Sequence, residues 1–215
     1  MPSTIALLAI AAFLLLAALL LLSNRGKTSP IQAALRALAA QTGGTYQRKA
    51  VGFGQVVEFE KGNHLFTFET ASSLAGPGDA NASYQSLRAS TSYNPTRPFE
   101  LMLEPKAAHE VVIKLGQSHT AETVLGIPVI DDTYRVLTSD PQMAGALLGD
   151  ASVQRHLTAV AARTSRLAIG PHESAAWIAF GEEEEAISTD RLLAIRDLLT
   201  ALLAALERNG LAVAS

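Results

Sequence analysis

The sequence predicts an α+β domain, a mostly antiparallel sheet packed by helices, preceded by one N-terminal transmembrane helix. Three observations predict it. Thr4 to Leu22 is an uncharged apolar run that ends against Ser23-Asn24-Arg25-Gly26-Lys27. Short runs rich in β-branched and aromatic residues then alternate apolar and polar positions, as half-buried strands do. Strands and helical segments are finally grouped rather than strictly alternating, which points to α+β and not to a parallel α/β sheet.

Taking the elements in order, a helix over residues 4–22 at about 1.5 Å per residue nearly matches the ~30 Å of hydrocarbon in a bilayer. A cleaved secretory signal fits poorly, because no Lys or Arg precedes the run, its apolar core is too long, and Leu20 to Asn24 contains no Ala-x-Ala step. The expectation is a retained, single-pass anchor in the cell membrane, with the lipid bilayer contacted through residues 4–22. Arg25, Lys27, Arg36, Arg48 and Lys49 all follow the run before the first acid, Glu58. That asymmetry places the globular domain on the cytoplasmic side. Residues 1–27 are therefore anchor and flank, and residues 28–215 a single α+β domain large enough for its own core.

In the domain, Ser29-Pro30 opens a helix that Gly43-Gly44 closes, and Ile31, Ala34, Leu35 and Leu38 make its apolar stripe. Strands are expected over Thr45 to Arg48, Gln55 to Glu60, Leu65 to Thr70, Tyr84 to Ser92 and Phe99 to Leu103. Lys61-Gly62-Asn63-His64 joins two of them as a hairpin, and Ala75 to Asn81 is a longer loop. Pro105 to Gly126 is ambiguous, with a lean to helix from Pro105 to Leu115. Ile127 to Ile130 and Thr133 to Thr138 read as extended. Asp140-Pro141 caps a short helix through Leu148, and Asp150 starts another to about Arg163. Strands at Arg166 to Ile169 and Ala176 to Phe180 precede a long helix, capped by Ser188, Thr189 or Asp190 and running to Arg208. In that helix Leu192, Ile195, Leu199, Leu202 and Leu206, widened by Leu193, Leu198 and Leu203, suit burial against a sheet; a homodimer through this helix is the alternative. No repeat of solenoid length recurs.

The segment Ile130-Asp131-Asp132-Thr133-Tyr134-Arg135-Val136-Leu137-Thr138-Ser139-Asp140-Pro141, with Ala144 and Leu147-Leu148, resembles a family of uncharacterised bacterial membrane-anchored proteins. There an aromatic-Asp-x-x-aromatic-x-Val strand leads into Asp-Pro and a short helix ending in paired leucines. Ile130 replaces the leading aromatic, and Tyr134 stands where Phe is commoner. The resemblance implies an anchor plus an α+β domain and transfers no catalytic residue.

Composition narrows the function. The net charge is −3, yet every residue through Val57 is basic or neutral, so the rest carries 12 basic against 20 acidic side chains, a net of −8. Scattered Lys and Arg in an acidic domain argue against a nucleic-acid partner. With no cysteine, disulfides, thiolate metal sites and a cysteine nucleophile are excluded.

Candidate chemical residues have structural explanations beside functional ones. Asp131-Asp132 offers oxygen ligands for a hard divalent cation, but on a strand the two carboxylates point to opposite faces. His119 and Glu122 have a weak ligand spacing, and His64, His109, His156 and His172 are scattered. Gly170-Pro171 with His172-Glu173 reads as a hairpin turn. Gly-x-Ser-x-Gly and phosphate-loop patterns are absent, and Gly52-Phe53-Gly54 and Gly76-Pro77-Gly78 read as turns. Glu182 to Glu185 reads as a solvated acidic run near a helix start, with a basic partner or loosely held cation as the alternative. Trp177, the single tryptophan, reads as core, with a ligand platform as the alternative.

No catalytic residue, metal ligand or cofactor is assigned from these patterns. The expected function is that of a membrane-anchored accessory or scaffold domain acting by protein or ligand binding. A metal-assisted hydrolase using Asp131 and Asp132 is the enzymatic alternative, and a small-ligand sensor the third.

Overall fold

Proline fixes φ near the helical value and lacks the amide that a first turn cannot pair, so Pro30 is suited to open α1, Pro30–Thr42. The computed structural model describes residues 30–49, 54–73, 84–106, 121–161, 165–172, 175–183 and 187–213. Gly43, at φ +69°, turns the chain out of α1. Gly44 then passes so close to the next strand that a Cβ there would lie 2.6 Å from the Glu58 carbonyl oxygen.

Strands β1 (Thr45–Arg48), β2 (Gln55–Lys61), β3 (His64–Ser73) and β4 (Tyr84–Tyr93) form an antiparallel meander. Lys61 pairs with His64 around Gly62, at φ +64°, as the turn pattern requires. Then come β5 (Leu101–Pro105), β6 (Ala121–Thr123), α2 (Pro128–Asp131), β7 (Tyr134–Thr138), α3 (Pro141–Leu148), α4 (Ala151–Val160), β8 (Arg166–His172), β9 (Ala175–Glu183) and α5 (Thr189–Arg208). Among the described residues all pairings are antiparallel, in one nine-stranded sheet of order β1-β2-β3-β4-β9-β8-β5-β7-β6. The late β8–β9 hairpin thus joins the meander to the β5–β7–β6 group.

Alternation decides what each face does. Val57 and Phe59, Phe66 and Phe68, Leu87 and Ala89, Leu101 and Leu103, Leu167 and Ile169, and Ile178 and Phe180 share one buried core with the helices. Phe59 and Phe66 are register partners with rings stacked at 5.2 Å between centroids. Helix α1 packs on β1 and β2, and α5 on β4 and β9, while α4 lies on α5 and α3 on both. The apolar stripe of α5, including Leu192, Ile195, Leu199, Leu202 and Leu206, is taken up by this core. The described residues therefore form two layers, with their helices on one face of the sheet.

Caps follow the sequence pattern. Asp140 accepts from the Met143 amide, Asp150 from Ser152 and Val153, and Ser188 from Arg191. Asp150 also takes the Arg208 guanidinium at 2.6 Å, tying the start of α4 to the end of α5. That hydrogen bond, with those of the two amides, holds the Asp150 carboxyl below its ordinary value against the opposing effect of burial. A lowered folded value means that the contribution is complete above the ordinary carboxylate range, about pH 4, and is lost as pH falls through the folded value. Asp150→Ala should cost about 1 kcal/mol in urea unfolding at neutral pH and flatten the acid limb of the stability profile. Asp150→Asn should retain most of the cap while flattening the same limb.

Several expectations are corrected. Ile127 to Ile130 is not extended: Pro128 starts the short helix α2 after an extended Ile127, and Asp131 closes it. Pro105 ends β5 instead of starting a helix, and its strand begins at Leu101 instead of Phe99. Ala121 to Thr123, within the ambiguous Pro105 to Gly126 stretch, pairs with β7 as an edge strand. Helix α4 ends at Val160, short of Arg163. Residues 107–120, which hold His109, His119 and most of the expected helix, lie outside the described residues, as do the anchor at 4–22 and both glycine loops except Gly54. Among the described residues, no helix is long and apolar enough to cross a membrane.

Candidate functional site

Because the helices occupy one face, the residues of opposite parity make a second face that no described helix crosses. Its centre lies on β4, β9 and β8, where register partners form three rows. Arg88, Gly181 and Arg166 make the first row, Ser90, Ala179 and Ala168 the second, and Ser92, Trp177 and Gly170 the third. The second row continues through Met102 on β5 and Leu137 on β7 to Glu122 on the edge strand β6. Glycine, alanine and serine leave the middle of the patch low, with Trp177 at one end and two arginines at the other.

Trp177 was expected in the core. It lies between Ala176 and Ile178, whose side chains face the helices, so strand alternation puts its ring on the uncovered face, half-buried. The signal in the sequence is its opposite parity to Ile178 and Phe180, against which hydrophobicity alone points the wrong way. Gly170, Pro171 and His172 are likewise strand residues paired with Trp177, Ala176 and Ala175, not the hairpin turn.

Charges border the patch. Glu69 takes Lys49 at 2.8 Å and Arg88 only at 4.0 Å, while Arg135 and Glu104 pair at 2.6 Å. Arg166, half-buried, has no ion-pair or hydrogen-bond partner among the described residues. Ser90 is 7% exposed, and its hydroxyl has no hydrogen-bond partner there either.

The other sequence candidates are not brought together. Asp131 ends α2 and Asp132 is its C-cap, so the two carboxylates are not on opposite faces of a strand. Instead Asp131 accepts from the Leu125 amide at 3.1 Å and the Ile127 amide at 2.8 Å, one on each carboxylate oxygen, and its carbonyl accepts from the Lys106 ammonium. This carboxylate shapes its own loop. Asp132 and Glu122 are exposed, on different elements. Among the described residues no three His, Asp or Glu side chains gather where they could hold a metal ion. His64 sits at the β2–β3 turn, with Nδ1 3.2 Å from the Ser92 carbonyl oxygen and Nε2 3.7 Å from a Glu207 carboxylate oxygen, bracing the hairpin against α5.

Glu182 corrects the expectation of a solvated acidic run. It is a β9 residue with a fully buried side chain, and Arg191 from the first turn of α5 binds it at 2.6 Å. The same guanidinium donates to the carbonyls of Ala159 and Val160, neutralising the end of α4. Glu183 ends β9, and residues 184–186 lie outside the described residues. The Tyr134 hydroxyl is buried without a hydrogen-bond partner, and so is Thr91 Oγ1. Burial raises the Tyr134 phenol above its ordinary value, opposed by the Arg191 charge, and pushes Tyr93 up to about 12. Raised phenol values mean stability is full below about pH 10 and lost as pH rises through the folded values. Tyr134→Phe and Thr91→Val each delete an unsatisfied buried hydroxyl, so each should raise unfolding stability by about 1 kcal/mol, with Tyr134→Phe also reducing the alkaline loss.

No family model matches the chain, and no curated protein matches it in sequence. Among solved structures it is similar to the crystal structure of the mycobacterial trehalose monomycolate transport factor A, TtfA, with a TM-score of 0.56 at 9% identity. The two share a fold. The likeness covers 85% of this chain and 97% of TtfA, so it extends over the sheet and its helices and not over one motif.

Proposed function

We propose that the chain is a single-pass membrane protein whose α+β domain acts by binding, as an accessory or scaffold at the cytoplasmic membrane face. The uncharged run at 4–22 and the basic residues after it support the anchor and its orientation. The observation that carries the binding role is the uncovered sheet face, on which small residues surround Trp177 and an unpaired Arg166. A broad face with an aromatic side chain and a guanidinium suits partner contact, since these groups dominate binding energy in interfaces. TtfA is called a transport factor, and an accessory role in transport is the form of binding function we extend to this chain. Hydrolysis at Asp131 and Asp132 draws no support, because Asp131 is engaged by backbone amides.

Photocrosslinking tests this reading. The full chain, carrying a photoreactive residue at Ala168 or Ala179, is expected to give discrete adducts in its own membranes. The same residue at Gln154 or Arg155 on α4 should give few, and a chain lacking residues 1–27 should lose the adducts. Equal labelling from both faces would contradict the proposal.

A further inference from the structure

We infer that the α1–β1 edge of the domain lies against the bilayer and binds its anionic head groups through Arg36 and Arg48. The inference deepens the proposed membrane role and rests on its anchor. Residues 23–29 link Leu22, the last of the apolar run, to Pro30, the first residue of α1. At no more than about 3.6 Å per residue, this link keeps the start of α1 within roughly 30 Å of the run. Ala33, Arg36 and Ala40, spaced three and four apart, make the exposed stripe of α1, opposite Ile31, Leu35 and Leu38 in the core.

Charge sets which side of this edge meets the lipid. Register assigns each charged residue of β1, β2 and β3 to a face. Arg48, Lys61 and His64 belong to the helix side, where α1 adds Arg36, so these four elements place Arg36, Arg48 and Lys61 there and no acid. On the opposite face Lys49 stands against Glu58, Glu60 and Glu69. Helix α5, which packs on α1, is neutral, with Arg191, Arg196 and Arg208 against Asp190, Asp197 and Glu207. The helix side of the edge is therefore cationic and the opposite face acidic, although the domain as a whole is acidic. An anionic surface attracts the first and repels the second.

Tyr46 organises the two arginines. The Arg36 guanidinium lies 5.2 Å over its ring centroid, which holds the group in place without neutralising it. Arg48 follows two residues along β1 on the same face, about 7 Å away. Both arginines are exposed, and neither has a carboxylate partner among the described residues, so both forks are open to phosphate oxygens. The Tyr46 hydroxyl donates to Gln55 Oε1 at 3.3 Å, and an apolar ring with a polar tip is the aromatic type that sits at head-group level. Contact on this side leaves the uncovered sheet face open to protein partners.

The chain has no cysteine, so one fluorophore can be attached at a chosen position. The full chain labelled at Ala40→Cys, on the exposed stripe of α1, is compared with the same label at Arg155→Cys on α4 and at Ala179→Cys on the uncovered face. Each is reconstituted in vesicles that carry a nitroxide-headed lipid as quencher. In equal parts phosphatidylcholine and phosphatidylglycerol, quenching at position 40 should exceed that at 155 and 179 several-fold. It should drop in phosphatidylcholine alone, in raised salt, and with Arg36→Gln plus Arg48→Gln, each arginine near an anionic surface being worth about fivefold. The circular dichroism spectrum and flotation with vesicles should not change. Equal quenching at the three positions, strongest quenching at 179, or quenching at 40 that ignores phosphatidylglycerol and the arginines would overturn the inference. A chain that floats yet quenches equally loses this inference alone, whereas one that does not float loses the anchor as well.

Discussion

Replacing Arg191 by Met is expected to lower the stability of the domain by about 3–5 kcal/mol, the cost of removing one member of a buried ion pair. Glu182 has no exposed side-chain surface, whereas Arg191 is 17% exposed and reaches it from the first turn of α5. Losing the guanidinium also withdraws a donor from the Ala159 and Val160 carbonyls at the end of α4. Three elements, β9, α4 and α5, are thus released by one substitution. Urea unfolding followed by circular dichroism measures the effect. The double change Glu182→Leu with Arg191→Met should cost less than Arg191→Met alone, because the buried carboxylate is removed too. A double variant as unstable as the single one would place the cost in the α4 carbonyls instead.

Phe66→Ala should be comparably damaging, about 3–5 kcal/mol. Phe66 has no exposed surface and stacks on Phe59 with an angle of 6° between rings. Its removal opens a cavity where β2 and β3 meet the helix layer and also loses the ring contact, worth about 0.5–1.5 kcal/mol beyond area. Leu65, the preceding residue, is 41% exposed, so Leu65→Ala should shift stability by no more than about 0.5 kcal/mol. The contrast between adjacent positions measures the sidedness of the sheet.

That sidedness was largely legible in the chain. Proline and glycine marked α1, aspartate and proline marked α3, and alternation in β2 and β3 assigned Phe59, Phe66 and Phe68 to the core. Strand order was not legible, since no local pattern tells the β8–β9 hairpin to join β4 to β5. Local cues misled where tertiary pairing decides: Ala121 to Thr123 is a strand through β7, and Glu182 is buried because Arg191, nine positions later, folds back on it. The candidate site was legible only in part. Trp177 was weighed as a ligand platform, but the row Arg88, Gly181 and Arg166 joins residues from distant strands and exists only once β4, β9 and β8 are adjacent.

Hydroxyl-radical footprinting of the full chain, in its own membranes and after purification, tests the working face most directly. Met102 and Trp177 lie on the uncovered face, and Met143 on α3 packs against the helix-side core, giving an internal standard of the same chemistry. The account predicts that Met102 and Trp177 are oxidised less in membranes than in the purified chain, with Met143 unchanged. Equal oxidation of Met102 and Trp177 in both states would contradict it.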